Sequence, residues 1–242
     1  MSHGSDGRCD HGDALPDGFS PGSREWSGSA VLHSDRNTVS LYFTAAGRRE
    51  GRPYFEQRLF GTRGQLIRSG DAASIRDWSL PRELFAADGI FYAPAREQVP
   101  TSGMILGFRD PGYFRDPADG RDYILFTGSA ADAGDAHDGV IGVARRDGDV
   151  WTPLPPLVEA FGVAKELERP HIIARDGRYH LFWSTQASRF APGDFRANRS
   201  LWNVRRPHRR FGGAIAPTAR LRLDGDRAAI VAPVRSNRAR SA

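Results

Sequence analysis

Lysine is nearly missing from these 242 residues: Lys165 is the only one, and every other basic residue is an arginine. Cysteine is as scarce, and the lone Cys9 excludes an intrachain disulfide framework and any cysteine-built zinc cluster. No run approaches about 18 apolar residues, so no membrane-spanning helix is expected. The opening MSHGSDGRCDHGDALPDG lacks the apolar stretch of a secretory signal peptide. No segment carries a long 3.6-residue apolar stripe, which argues against a helical domain. Disorder of the whole chain is excluded as well, because 39% hydrophobic and 26% charged residues are values of a globular protein.

What is present is unevenly placed. Residues 196–242 hold twelve arginines against two acids, Asp224 and Asp226, a net +10. The first 195 residues carry 22 bases against 27 acids, a net −5. Between Ser29 and about Phe190 the pattern is that of short strands. Val39, Leu41 and Phe43 alternate on one face of Val39–Thr44, and similar runs occupy Tyr123–Thr127 and Tyr179–Ser184. Each follows a polar turn: Ser34–Asn37, Ala118–Arg121 and Asp176–Arg178. Recurrent hairpins with an aromatic inner strand predict an all-β fold, either blades of a β-propeller or a sandwich.

Beyond Phe190 the alternation fades, and Leu221 to Val234 offers one weak strand pattern. An arginine run such as 196–210 is the footprint of a nucleic-acid site, of a solvated tail, or of a GC-rich frame read out of register. No aromatic-interleaved motif or binding module accompanies the charge, so nucleic acid is not an expected partner.

Three strings carry candidate chemistry: Trp26-Ser27-Gly28-Ser29-Ala30, Phe108-Arg109-Asp110-Pro111 and Glu166-Leu167-Glu168-Arg169-Pro170-His171. Singly each has a bland reading. Arg-Asp-Pro is an ordinary turn, and Arg115-Asp116-Pro117 repeats it as an expected surface hairpin turn. Carboxylates held near arginines are nonetheless what glycoside chemistry requires: one acid protonates the leaving oxygen while another carboxylate attacks or stabilises the oxocarbenium ion. The loop Asp132-Asp135-Asp138 invites a calcium reading, but its spacing is not that of an EF-hand, and a solvated loop is the default. The histidines show no metal-ligand spacing, and His171 reads as support for the strand that carries Glu168.

In order and together, these strings resemble glycoside hydrolase family 68, the levansucrases and inulosucrases. The likeness runs from about Pro16 to Phe190 and includes Phe55-Glu56-Gln57-Arg58-Leu59, Asp88–Tyr92 with Glu97-Gln98, Gly139–Ala144 and Leu154–Leu157. It implies a five-bladed β-propeller with an axial pocket where sucrose is cleaved by retaining double displacement. By the same resemblance Glu168 is the general acid/base, Asp110 the transition-state stabiliser, and Arg109 the residue that orients Asp110 and contacts the sugar. Glu166 binds substrate on the glucosyl side, Trp26 and Ser27 form pocket wall, Arg169 tunes Glu168, and Gln186, with Arg189 beside it, falls near a sugar-contacting position. The partners implied are sucrose and a fructan acceptor, with no cofactor; calcium occurs in some family members. The location implied is extracellular.

The sequence departs from that pattern in one decisive place. The family nucleophile is an Asp in a Trp-Asp-x-Trp-like string upstream of the Trp26 motif, and no such string occurs here. Asp10, Asp13 and Asp17 lack flanking tryptophans and read as turn residues, and Asp77-Trp78 lies on the wrong side of the motif. The expectation is therefore an incomplete propeller: an irregular leader at 1–24, a partial propeller at 25–190, and an Arg-rich tail at 191–242 that is disordered or out of frame. Three functional readings follow: a levansucrase-like fructosyltransferase inactive as this chain, a non-catalytic remnant, or a related β-fructosidase-type propeller.

Overall fold

A computed structural model describes residues 12–70, 72–94, 105–131, 136–175, 178–192, 220–224 and 227–232. Among the described residues the one helical element is a 3-10 turn at Ala187–Arg189, and the rest is strand and connection. The first sheet is an antiparallel meander of β1 (Arg24–Leu32), β2 (Thr38–Ala46), β3 (Gln57–Ser69) and β4 (Ala72–Arg76). A short β5 (Arg82–Glu83) pairs with Phe60 and Gly61 of β3, so β4 and β5 share the outer position on either side of a bend at Asp77. The second sheet runs β6 (Phe108–Arg115), β7 (Asp122–Ser129), β8 (Gly139–Asp147), β9 (Val150–Glu159). The third begins with β10 (Glu168–Arg175) and β11 (Arg178–Ser184). These are three blades of a propeller.

The runs legible by alternation, Val39–Thr44, Tyr123–Thr127 and Tyr179–Ser184, fall in β2, β7 and β11, the second strand of each sheet. That position explains their apolar density. The second sheet is covered on both faces, so β7 sends Ile124 and Phe126 to one core and Tyr123 and Leu125 to the other. The core between the first two sheets joins Tyr42, Leu59 and Phe85 to Phe108, Phe126 and Trp151. The core between the second and third joins Phe114, Leu125 and Val143 to Leu167, Leu181 and Trp183. β2 is likewise two-sided: Phe43 packs on Phe60, while Tyr42 on the opposite face stacks on Tyr113 of β6 with ring centroids 5.7 Å apart.

The third sheet departs from the expectation of a tail without structure. Two strands from that segment, β12 (Arg220–Asp224) and β13 (Arg227–Ala232), complete it in the order β10-β11-β13-β12. They coincide with the weak alternation noted from Leu221 onward. Asp224 pairs with Arg227 at the end of the antiparallel register of β12 and β13. Residues 193–219 and 233–242 lie outside the described residues. Ahead of β1, the described residues from Gly12 onward are docked: Leu15 packs against the cluster of Phe43 and Phe60, and Ser20 is buried.

Tyr92 shows how the second sheet tolerates an irregularity. Its ring is fully buried against Phe126, and its hydroxyl donates to the Leu154 carbonyl at 2.6 Å while accepting from the Val143 amide at 3.1 Å. Val143 and Leu154 face each other across β8 and β9 next to a register shift, so the hydroxyl occupies a gap in the ladder. Tyr92→Phe takes the hydroxyl from a buried amide and a half-buried carbonyl. The expected loss is about 1–3 kcal/mol of stability, read by chemical denaturation, with no change of fold.

Candidate active site

The three strings singled out in the sequence occupy equivalent places. β1, β6 and β10 each open a sheet, and each pairing slips at the string: between Trp26 and Gly28, between Arg109 and Gly112, and between Glu168 and His171. β6 lies against both of the others. A bulge frees residues from the ladder and re-aims their side chains, and it is where a strand accepts proline. Pro111 and Pro170 sit in two of these bulges, each preceded by a non-glycine residue with positive φ, Asp110 at 62° and Arg169 at 52°. Such backbone costs on the order of 1–3 kcal/mol and persists only where its surroundings fix it.

Here they do. The Asp110 amide donates to Thr44 Oγ1 at 2.8 Å, and Thr44 Oγ1 donates to the Ser27 carbonyl at 3.1 Å, which ties β6 to the bulge of β1. Ser29 adds a second tie, donating to the Pro111 carbonyl at 2.8 Å and accepting from the Tyr113 amide at 2.9 Å. On the other side the Arg169 amide donates to Asp110 Oδ2 at 3.1 Å. Thr127 Oγ1, on β7, lies 3.0 Å from Asp110 Oδ2 and 3.0 Å from the Leu167 carbonyl. Gly112 permits this approach: a Cβ there would stand 2.3 Å from the Pro170 carbonyl oxygen.

At the centre is Arg109, 4% exposed. Its Nη2 is 3.0 Å from Glu168 Oε1 and 3.3 Å from Glu166 Oε2, and its Nε is 3.7 Å from Asp110 Oδ2. Its Nη1 donates to Gln57 Oε1 at 3.3 Å. Arg189 contributes a second cation, with Nε 3.3 Å from Glu166 Oε2. Three carboxylates from two sheets thus share two guanidinium groups. Asp110 and Glu166 are buried, whereas the Glu168 side chain keeps 18% of its surface exposed. Burial pushes the Asp110 carboxyl above its ordinary value, and the neighbouring Arg109 opposes that rise.

Most of the residues read from the sequence meet here, with some corrections. Arg109, Asp110, Glu166 and Glu168 form the cluster, and Ser27 borders it through its carbonyl. Trp26 opens the β1 bulge, with the Arg24 guanidinium 5.5 Å from its ring centroid. Arg169 is exposed and joins through its main chain; the guanidinium beside Glu168 belongs to Arg109. Gln186 is exposed at the start of the 3-10 turn, and Arg189 is the side chain of that turn that reaches Glu166. His171 stacks on Phe182 at 5.2 Å. Asp116 is a hairpin-turn residue but not a surface one: it is 1% exposed and accepts from Tyr179 Oη of the third sheet. Asp13 and Asp17 are exposed, Asp10 lies outside the described residues, and Trp78 lies in the connection between β4 and β5. Of the acidic loop, Asp132 and Asp135 are outside the described residues, and Asp138 is committed to Lys165 Nζ at 2.7 Å in a buried pair.

Sequence reasoning did not single out Gln57, Thr44, Thr127 or Ser29. The only available signal was membership of the quoted strings, since each acts across 17 to 84 positions of sequence.

The chain is 31% identical to a levansucrase of Pseudomonas syringae pv. actinidiae over 75% of its own length and 46% of that protein, so it spans about half the length of the curated relatives it matches. An inulosucrase from Halalkalicoccus jeotgali, solved with kestose bound, superposes with a TM-score of 0.65 at 34% identity, over 73% of this chain and 46% of the other. A Bacillus subtilis levansucrase superposes equally well, at 0.65 over 74% of this chain and 49% of the other, with 20% identity, which speaks to fold alone. The family model described as levansucrase/invertase matches residues 3–139 and 133–199. By this match over most of its length, the chain belongs to the levansucrase/invertase family, glycoside hydrolase family 68.

Proposed function

We propose that this chain carries the acid/base and stabilising half of a sucrose-cleaving fructosyltransferase site and does not turn over sucrose by itself. The observation that carries the reading is the convergence of Asp110, Glu166 and Glu168 on Arg109 at the bulges of adjacent strands. Glu168 is the most exposed of the three carboxylates and is the group to protonate the glucosyl oxygen, then to take a proton from the acceptor, a fructan hydroxyl or water. The contacts of the Asp110 carboxylate with Thr127, Arg169 and Arg109 fall on Oδ2, and Oδ1 is assigned to fructosyl hydroxyls. Arg109 holds both carboxylates in register, and Glu166, fixed by Arg109 and Arg189, is the substrate-binding carboxylate. The chemistry is carboxylate chemistry and calls for no cofactor.

The missing part is equally specific. The 242 residues contain no Trp-Asp string, and none of the carboxylates gathered here is assigned to capturing the fructosyl cation. A second reading, sugar binding without turnover, is favoured by that observation and describes the chain alone. The test is complementation. Joined to an upstream segment bearing a Trp-Asp string and to the remaining blades of a family 68 enzyme, the chain is expected to release glucose from sucrose and to transfer fructosyl units. In that assembly Glu168→Gln is expected to lower turnover by several powers of ten. A folded assembly that binds no sucrose would overturn the proposal.

A further inference from the structure

Gln57 is the first residue of β3, in the first sheet, yet apart from a 3.4 Å bond from Nε2 to the Phe55 carbonyl its carboxamide serves the second. It is 3% exposed. Its Oε1 accepts from the Phe108 amide at 3.0 Å and from Arg109 Nη1 at 3.3 Å, and its Nε2 donates to the Leu106 carbonyl at 2.8 Å. One side chain therefore grips the entry to β6 at three points, Leu106, Phe108 and Arg109 itself. The chemistry of this partner matters. Arg109 already faces three carboxylates, and its guanidinium presents five donors in a rigid fork. A fourth carboxylate at Nη1 would add negative charge to a buried cluster that carries three anions against two cations. A hydrocarbon would leave Nη1 unpaired and free the guanidinium to turn about its last bonds. A neutral carboxamide oxygen does neither: it holds one end of the fork and leaves Nη2 aimed at Glu166 and Glu168.

We infer that Gln57 is a positioning residue for this site, fixing the Arg109 guanidinium so that it aligns Glu168 and Asp110. The inference rests on the reading of Arg109 as the cation that organises the site, but its test does not depend on sucrose turnover. In the full 242-residue chain, with arginine labelled for nitrogen NMR, hindered rotation gives Arg109 separate Nη signals. Gln57→Leu is expected to merge those signals and to move the Asp110 carboxyl titration upward, because the opposing cation is no longer held beside it. Gln57→Glu keeps an acceptor oxygen and is expected to keep the signals separate, with the Nη1 protons shifted downfield by the charged acceptor. A Gln57→Leu chain that melts lower but retains separate Arg109 signals and an unmoved Asp110 titration would reduce Gln57 to a tie between sheets and overturn the inference. Should Gln57→Leu not fold, Gln57→Glu decides alone: an unshifted Nη1 signal means that Gln57 does not hold Arg109. Failure of the functional proposal would show in the complementation assay and leave these signals untouched.

Discussion

Replacing Arg109 by methionine is expected to destabilise the folded chain by about 3–5 kcal/mol near neutral pH, the cost of removing one partner from a buried ionic cluster. Methionine fills much of the same volume, so the loss is one of charge more than of packing. It leaves Asp110 and Glu166 buried, with Arg189 as the remaining cation near Glu166. The deficit depends on pH, and its direction follows from Asp110. Burial already raises that carboxyl above its ordinary 3.8, against the pull of Arg109. Between 3.8 and the raised value the native chain holds a proton that the unfolded chain has released. The unfolded state then binds fewer protons, so stability falls as pH rises through that interval. Without Arg109 the native value rises further, and the fall continues to higher pH. Urea denaturation of the parent and Arg109→Met chains, from about pH 4 to about pH 8, is expected to show a gap that widens with pH. A gap independent of pH would assign the effect to lost packing.

Much of this arrangement is legible in the sequence, for reasons that differ by level. The second strands of the first two sheets are readable because they are covered on both faces, and a strand such as Tyr123–Thr127 announces itself by apolar density. The site strings are readable because a bulge needs particular residues: a proline that can leave the ladder and a neighbour that tolerates positive φ, as in Asp110-Pro111 and Arg169-Pro170. What cannot be read is who faces whom. Asp116 carries the same triplet as Asp110 and looks like a surface turn, yet it is buried and accepts a hydrogen bond from Tyr179 of the next sheet, 63 positions away. Arg169 adjoins Glu168 in sequence but points its side chain to solvent, because the bulge gives Asp110 its amide instead. Gln186 and Arg189 differ by one turn of 3-10 helix, and that turn selects Arg189 for Glu166. The strands β12 and β13 are masked by a surplus of arginine, which weakens an alternation that pairing with β11 nonetheless completes.

Sucrose is expected to survive incubation with the 242-residue chain. In the proposed reading Glu168 gives a proton and Asp110 favours positive charge at the fructosyl ring, but a retaining displacement also needs a carboxylate about 5–5.5 Å from the acid to capture the cation. The chain provides no Trp-Asp string to supply it. An unpositioned water is a poor substitute: a preoriented nucleophile is worth up to about 7–11 kcal/mol. At 1.36 kcal/mol per tenfold, that amounts to as much as about five to eight powers of ten in rate. The most direct measurement is glucose release from sucrose by the purified chain, beside its Glu168→Gln variant. The account predicts that both match buffer. Release well above buffer by the parent chain, abolished by Glu168→Gln, would contradict it, because it would show a complete site assembled without the Trp-Asp string.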